Sequence, residues 1–246
     1  MHVVLPMKKL QLHDVTLVVI DTAYPELTKL AVDECLAVAD FGDALAFSDK
    51  IISVDMTHHV CSPKGVQEAM SVLWYQVPEK VKTSHFLVIQ WDSWIINPQA
   101  WRDEFLKFDY IGAPWWYNTR NVGNGGFSLR SIALAKYVAA HPHIFHLNHP
   151  EDNSLCRVYR DALEDKGYQW ADNSTALDFS FECVGPISRG KHFGFHCLRN
   201  WPYVMNYEKC LERLMLCPKS IKESNDWGMA VQTMRSLDNF CGLAKT

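Results

Sequence analysis

Tyr110-Ile-Gly-Ala-Pro-Trp-Trp116 and, a few residues on, Val122-Gly-Asn-Gly-Gly-Phe-Ser-Leu-Arg-Ser131 form the stretch around which the chain is organised. The first half has the apolar, Gly/Pro-stopped character of a short strand ending in a turn. The second packs Gly123, Gly125 and Gly126 into four positions and leads into a helix-like run from Ser131. Glycines at that density let a backbone turn sharply and come close to a ligand. Asn124 among them offers an amide to sugar hydroxyls or phosphate oxygens. Upstream lies Ile89-Gln90-Trp91-Asp92-Ser93, an apolar strand ending in an acid, and downstream lies the acidic pair Glu151-Asp152.

Working outward, Val15 to Ile20 is a continuous β-branched and apolar run, the mark of a strand buried on both faces. It ends at Asp21-Thr22. A helix follows from Pro25 to about Gly42, then a strand over Ala44 to Phe47 ending at Ser48-Asp49, and a third apolar run over Ile51 to Val54. Val66 to Tyr75 reads as a helix with Pro78 beyond it, and His85 to Gln90 as the next strand. Trp101 to Phe108 gives a helical turn or two, and Ser131 to about Ala140 a helix. His141 to His149 is a histidine-rich loop, and Glu151 to Lys166 is a helix closed by Gly167. Short strands are expected at Tyr168 to Ala171 and Phe179 to Glu182, and two tail helices on either side of Pro218. Alternating strands and helices imply an α/β fold with a mostly parallel central sheet flanked by helices, plus C-terminal helices. No repeat or long linker divides it, so one domain is expected over residues 1–246. In open α/β sheets ligands bind beyond the carboxyl ends of the strands, where Asp21, Thr22, Asp49 and Asp92 fall. Neither the dinucleotide Gly-x-Gly-x-x-Gly fingerprint after the first strand nor a P-loop is present, which disfavours a plain NAD or ATP site.

Bulk properties narrow the field. The chain has 246 residues, 48% of them hydrophobic and 21% charged, as expected of a folded domain with a sizeable core. A net charge of −4 provides no global positive field for nucleic acid or anionic membrane. None of the eight cysteines forms a Cys-x-x-Cys pair or a zinc-ribbon spacing, which favours free thiols in a cytosolic protein. The apolar start before Pro6 is too short for a signal-peptide core, and no stretch approaches the ~20 apolar residues of a membrane span. A cytoplasmic location is expected. His58, His59, His141, His143, His146 and His149 fit no standard zinc spacing and read as loop histidines.

The ordered set Asp21, Gln90-Trp91-Asp92, Tyr110-Ile-Gly-Ala-Pro-Trp115, Val122 to Ser131, Glu151-Asp152 and Phe193-Gly-Phe-His196 resembles a family of little-characterised glycosyltransferase-like proteins. That family is similar in turn to the glycosyltransferase-A superfamily, which uses nucleotide-sugar donors. The resemblance covers roughly Val15 to His196 and implies a single glycosyltransferase-A-like domain. Residues 15–130 would be its nucleotide-sugar-binding half, 131–200 its acceptor and catalytic half, and 201–246 a helical tail. The superfamily's Asp-x-Asp motif holds a divalent metal on the donor diphosphate. Here Gln90 stands where its first acid would be, leaving Asp92, with His196 as the second metal ligand that the resemblance suggests. Mn²⁺ or Mg²⁺ would suit such ligands.

The resemblance also makes Asp152 the catalytic base and Glu151 an acceptor-orienting residue, although Pro150-Glu151-Asp152-Asn153 equally reads as the acidic first turn of a helix. Donor contacts are expected from Asp21, Thr22, Asp49, Gln90, Asp92, Asn124, Gly125, Gly126 and Arg130, with turn and cap chemistry the competing account of the acids. Arg130 matches phosphate by its guanidinium, or sits on the face of the following helix. Trp115 and Trp116, beside Tyr117, suggest a sugar-stacking platform unless one is buried in the core, and Glu182 is a further acceptor-side carboxylate. The expected activity is inverting transfer of a sugar from a nucleotide-diphosphate donor to a carbohydrate or glycoconjugate hydroxyl. The alternatives are a sugar- or nucleotide-binding module without turnover, and transfer to a modified nucleic-acid base.

Overall fold

A computed structural model describes residues 8–146, 150–183 and 190–243, the last six by backbone alone. Among them, six strands form the main sheet: β1 (Leu10–Ile20), β2 (Ala39–Ser48), β3 (Thr57–Val60), β4 (His85–Ile89), β6 (Tyr110–Gly112) and β7 (Phe127–Ser131). β5 (Trp94–Ile95), β8 (Ser180–Phe181) and β9 (Gly194–Phe195) make a small second sheet. The main order is β3-β2-β1-β4-β7-β6. β3, β2, β1 and β4 run parallel, whereas β7 lies antiparallel between β4 and β6. The sheet is therefore mixed, parallel over four strands and reversed at one.

The long apolar runs follow from burial on both faces. Leu17 and Val19 of β1, with Leu87 and Ile89 of β4, enter one core with helix Pro25–Val38. Val18, Phe86 and Val88 enter the opposite core with Trp74 and Tyr110. β1 starts earlier than its apolar run because Leu10 to Leu12 pair with Ala39 to Phe41 before a register shift. Gly42 is required at that shift, since a Cβ there would strike the His13 carbonyl.

Several expectations are corrected. Phe127–Ser131 is a strand, not the approach to a helix; Ser128 and Arg130 interrupt its apolar pattern, and both side chains are buried. The third parallel strand is Thr57–Val60, and the Ile51 and Val54 side chains are 75% and 90% exposed. His58 and His59 thus lie on an edge strand, where one-sided pairing needs little apolar character. The Val66–Ser71 helix continues through a π-helical turn at Val72–Gln76 into Val77–Lys80. Pro78 lies directly after the π-helical turn, in the first turn of that last segment. Tyr168 to Ala171 contributes only an isolated bridge from Trp170 to Tyr110.

The segment after Asn200 is part of the fold's main core. Trp201, Cys210, Leu214 and Met234 belong to the same buried cluster as Leu17 and Phe127. Trp201 is fully buried between Trp91 and Trp94, with ring centroids 5.9 and 6.0 Å away. Arg213 lies 4.5 Å over the Trp94 ring and donates to Glu34 on helix Pro25–Val38 at 2.5 Å. Trp201→Ala should lower the unfolding free energy by about 3–5 kcal/mol in urea titration, as expected for a large aromatic removed from a core. A loss under about 1 kcal/mol would show the tail to be an appendage.

Candidate active site

β1, β2 and β4 run parallel, so Asp21, Ser48 and Gln90-Trp91-Asp92 emerge on one rim. The start of antiparallel β7 meets the end of β4, Phe127 opposite Ile89, which brings Asn124 to Gly126 to the same rim. The sequence's three pieces therefore meet around the Gly125-Gly126 backbone.

On one side of it stand Asp92, His196 and Glu182. Residues 90–93 turn tightly: Ser93 N–H donates to Gln90 O at 3.1 Å, and Ser93 Oγ donates to Gly126 O at 2.7 Å. Asp92 is buried. Its Oδ2 accepts from Leu198 N–H at 3.2 Å, while its buried Oδ1 has no hydrogen-bond partner and lies 3.4 Å from His196 Nε2. The imidazole also meets Glu182 Oε1 at 3.1 Å and Gln90 Oε1 at 3.2 Å. Burial opposes the His196 charge, yet Asp92 and Glu182 outweigh it and hold its pKa well above the usual imidazole value. Burial likewise opposes the Glu182 charge, and His196 draws its pKa below the usual carboxyl value. Asn200 braces the cluster by donating to Glu182 O at 2.9 Å and His196 O at 2.7 Å. Cys197, directly after His196, has φ +87°, a region unfavourable to a residue with a Cβ. A Cβ on Gly126 would fall inside the His196 ring.

On the other side stand Asp152, Glu151 and Arg130. Asp152 Oδ2 accepts from Gly125 N–H at 2.9 Å, so its carboxylate is turned toward the glycine loop. Beneath it, Arg130 is 1% exposed and donates from Nη2 to Glu151 Oε1 at 2.9 Å and from Nε to Ser128 Oγ at 3.0 Å. Its guanidinium lies 5.2 Å from the Trp74 ring centroid and 5.0 Å from that of Tyr110. Burial pushes the Glu151 carboxyl up while Arg130 opposes the shift. A Cβ on Gly125 would stand 3.1 Å from both Arg130 Nη2 and Glu151 Oε1.

Several expected site residues are used otherwise. Arg130 is not presented to the rim as a phosphate ligand, and Glu151, buried beside it, is not placed to orient an acceptor; together they form an ion pair under the loop. Asp21 accepts from Ala23 N–H at 2.6 Å and Tyr24 N–H at 2.8 Å and also bonds Thr28, which fixes the turn into helix Pro25–Val38. Thr22 donates to Pro63 O at 3.3 Å. Asp49 is exposed on the same rim. Asn124 accepts from Gly126 N–H at 3.1 Å and shapes the loop. Trp115 is buried, against the position a Gly123 Cβ would take, whereas Trp116 is exposed. Glu182 stands with Asp92, not with Asp152. Ser93 and Asn200 belong to the site although no motif marks them: Ser93 adjoins Asp92, but a lone Asn at the edge of the motif region carries no local signal.

Among the described residues, no group of three or more His, Cys, Asp or Glu side chains is arranged to hold a metal ion; His149 lies outside them. Asp92 Oδ1 and His196 Nε2 lie 3.4 Å apart as an ion pair, and Oδ1, which accepts no hydrogen bond, is a suitable hard ligand. That set fits an ion whose other ligands come from phosphate oxygens and water, the usual habit of Mg²⁺. The seven described cysteines are free, Cys241 lying outside the described side chains. No described helix is long and apolar enough to cross a membrane.

Residues 51–196 match the DUF5672 family, described as proteins of unknown function, and the chain belongs to that family. No curated protein matches it in sequence. Among solved structures, a glycosyltransferase involved in glycosylation of the major capsid of PBCV-1 is similar at 14% identity and a TM-score of 0.48, over 81% of this chain and 98% of its own. The apo form of the glycosyltransferase GlyE of Streptococcus pneumoniae TIGR4 is similar at 11% identity and a TM-score of 0.44, over 74% of this chain and 53% of its own.

Two outcomes are expected. Glu151→Gln leaves the Arg130 charge buried without a counter-charge and should cost about 3–5 kcal/mol in urea unfolding. In protein stripped of divalent ions, the His196 imidazole should titrate well above about 6.5 by NMR, and Asp92→Asn should bring the midpoint down. The sign follows: stabilisation from the imidazolium is full below about 6.5 and is lost as pH rises through the folded midpoint. A midpoint unmoved by Asp92→Asn would show that the pair does not set the charge.

Proposed function

We propose that the protein is a glycosyltransferase that moves a sugar from a nucleoside-diphosphate-sugar donor to a hydroxyl of a carbohydrate or glycoconjugate, with inversion at the anomeric carbon. One observation carries this reading. At the rim where the parallel strands end, a Gly-Gly backbone separates a carboxylate, Asp152, from a second polar centre, Asp92 with His196.

An inverting displacement needs that division of labour. The acceptor oxygen forms its bond to the anomeric carbon on one face as the bond to the diphosphate oxygen breaks on the other. Asp152 takes the acceptor proton, and its hydrogen bond from Gly125 N–H fixes where that base stands. Glu151 and Arg130 act as positioning residues beneath it, holding the loop at its height. On the donor face, Asp92 and His196 would hold a Mn²⁺ or Mg²⁺ ion, which when bound supplies positive charge for the departing diphosphate. Ser93 and Asn200 keep those two side chains in register with the loop. A binding module without turnover is the competing reading, favoured by Gln90, whose amide oxygen occupies the His196 Nε2 side at 3.2 Å.

Incubation with a panel of nucleoside-diphosphate sugars and Mn²⁺ should release nucleoside diphosphate with at least one of them. Asp152→Asn should keep the donor-dependent rise in melting temperature while transfer falls by ~10²–10⁴-fold. Asp92→Asn should lose that rise, worth about 2.7 kcal/mol at a hundredfold excess over Kd. A donor that stabilises the protein but is never turned over would establish the binding module. No stabilisation by any donor would sink both readings.

A further inference from the structure

We propose that the tip of the hairpin at residues 114–122 is a saccharide-stacking subsite, with the Trp116 indole as its surface and Arg157 as its positioning residue. The glycosyltransferase reading is needed only to call the bound sugar an acceptor. The hairpin is closed by a bridge between Pro114 and Val122 and by Trp115 N–H donating to Asn121 O at 2.6 Å. Its two tryptophans diverge. Trp115 turns inward and is buried, while Trp116 is 66% exposed at the start of a tip in which residues 116–120 are all exposed.

That exposed ring is held in place. Tyr117 packs against both indoles, with centroids 5.8 Å from Trp115 and 5.4 Å from Trp116. The Arg157 guanidinium lies 3.8 Å over the Tyr117 ring, and its Nη1 donates to Thr119 O at 2.7 Å and Arg120 O at 3.0 Å. Arg120 answers by donating to Arg157 O at 3.2 Å and pairing with Asp161, at a φ of +50°. A flexible tip would lose ordering entropy on every binding event; a tip braced this heavily has lost it already. An indole fixed and left open is a flat apolar surface with a polar edge, which suits the C–H face of a pyranose and leaves its hydroxyls to water and nearby amides.

Placement joins the subsite to the chemistry. β6 runs parallel to β4 and two positions away in the sheet, so the hairpin rises from the same rim as Asp92, at about 10 Å by strand spacing. Along the connecting chain Val122 closes the hairpin, Gly125 binds Asp152, and Gly126 abuts His196. Arg157 follows Asp152 in the same helical segment, so the brace of the tip and the proposed base are carried by one element.

The test uses saturation-transfer NMR on the full chain, without donor, against cellotriose, chitotriose, maltotriose, mannotriose and N-acetyllactosamine. At least one should receive saturation on ring C–H protons. Trp116→Ala should weaken that ligand about tenfold or more, as removal of an aromatic anchor does. Trp116→Phe should retain most of the binding, and Arg157→Ala should weaken it while Arg157→Lys restores part. Absence of saturation from every saccharide with wild-type protein, or equal binding by Trp116→Ala, would overturn the proposal. So would a Trp116→Ala change that alters the sedimentation coefficient and leaves saccharide binding intact, since the tip would then serve self-association. Because no donor is present, saccharide binding that persists when no nucleotide sugar is turned over refutes the transferase reading alone.

Discussion

Two successive glycines without side chains let two charged clusters approach one backbone from opposite sides. At Gly126 the space a Cβ would need is filled by the His196 ring, and at Gly125 the Arg130–Glu151 pair and Asp152 stand just over 3 Å from where a Cβ would be. The rest of the rim follows from that closeness. Asp152 accepts from Gly125 N–H with its own Cβ only 3.3 Å from where a Gly125 Cβ would stand. Ser93 can bond Gly126 O only because the β4 end lies directly beside it. An alanine at 126 would place its Cβ inside the His196 ring, whereas one at 125 would ask its neighbours to give by a few tenths of an ångström.

The reversed strand makes this meeting possible. Had β7 run parallel to β4, its approach would lie at the opposite end of the sheet and Asn124 to Gly126 would be remote from Asp92. Antiparallel insertion brings an entering loop to the rim where the parallel strands leave. The charge within β7 is tolerated because Arg130 faces an acid and two aromatic rings, not hydrocarbon alone.

Much of this was open to reading in the sequence. Val15 to Ile20 and His85 to Ile89 declared themselves by unbroken apolar character, since both faces are covered. Asp92, Gly125 and Gly126 stand out as a strand-end acid and clustered glycines, whereas Asp152 stands out only through the family resemblance, since an acidic first turn of a helix looks the same. β7 was hidden because Ser128 and Arg130 break its pattern: Ser128 bonds back into the glycine loop at Gly125 O, and the Arg130 counter-charge, Glu151, lies in a later segment. The same limit applies to Arg130 and Glu151: a basic and an acidic residue near a glycine loop look like ligands until burial shows that they pair with each other. For Trp115 and Trp116, adjacent and identical, no local pattern says which one turns inward.

Trp91 and Trp94, on either side of Asp92 and Ser93, both rest on Trp201. The recognisable motifs end at His196, so the turn carrying Asp92 leans on a residue that no motif includes. Recognition and mechanical support are therefore carried by different parts of the chain. An expression boundary drawn after Phe-Gly-Phe-His196 would retain every motif residue while removing the foundation on which one of them stands.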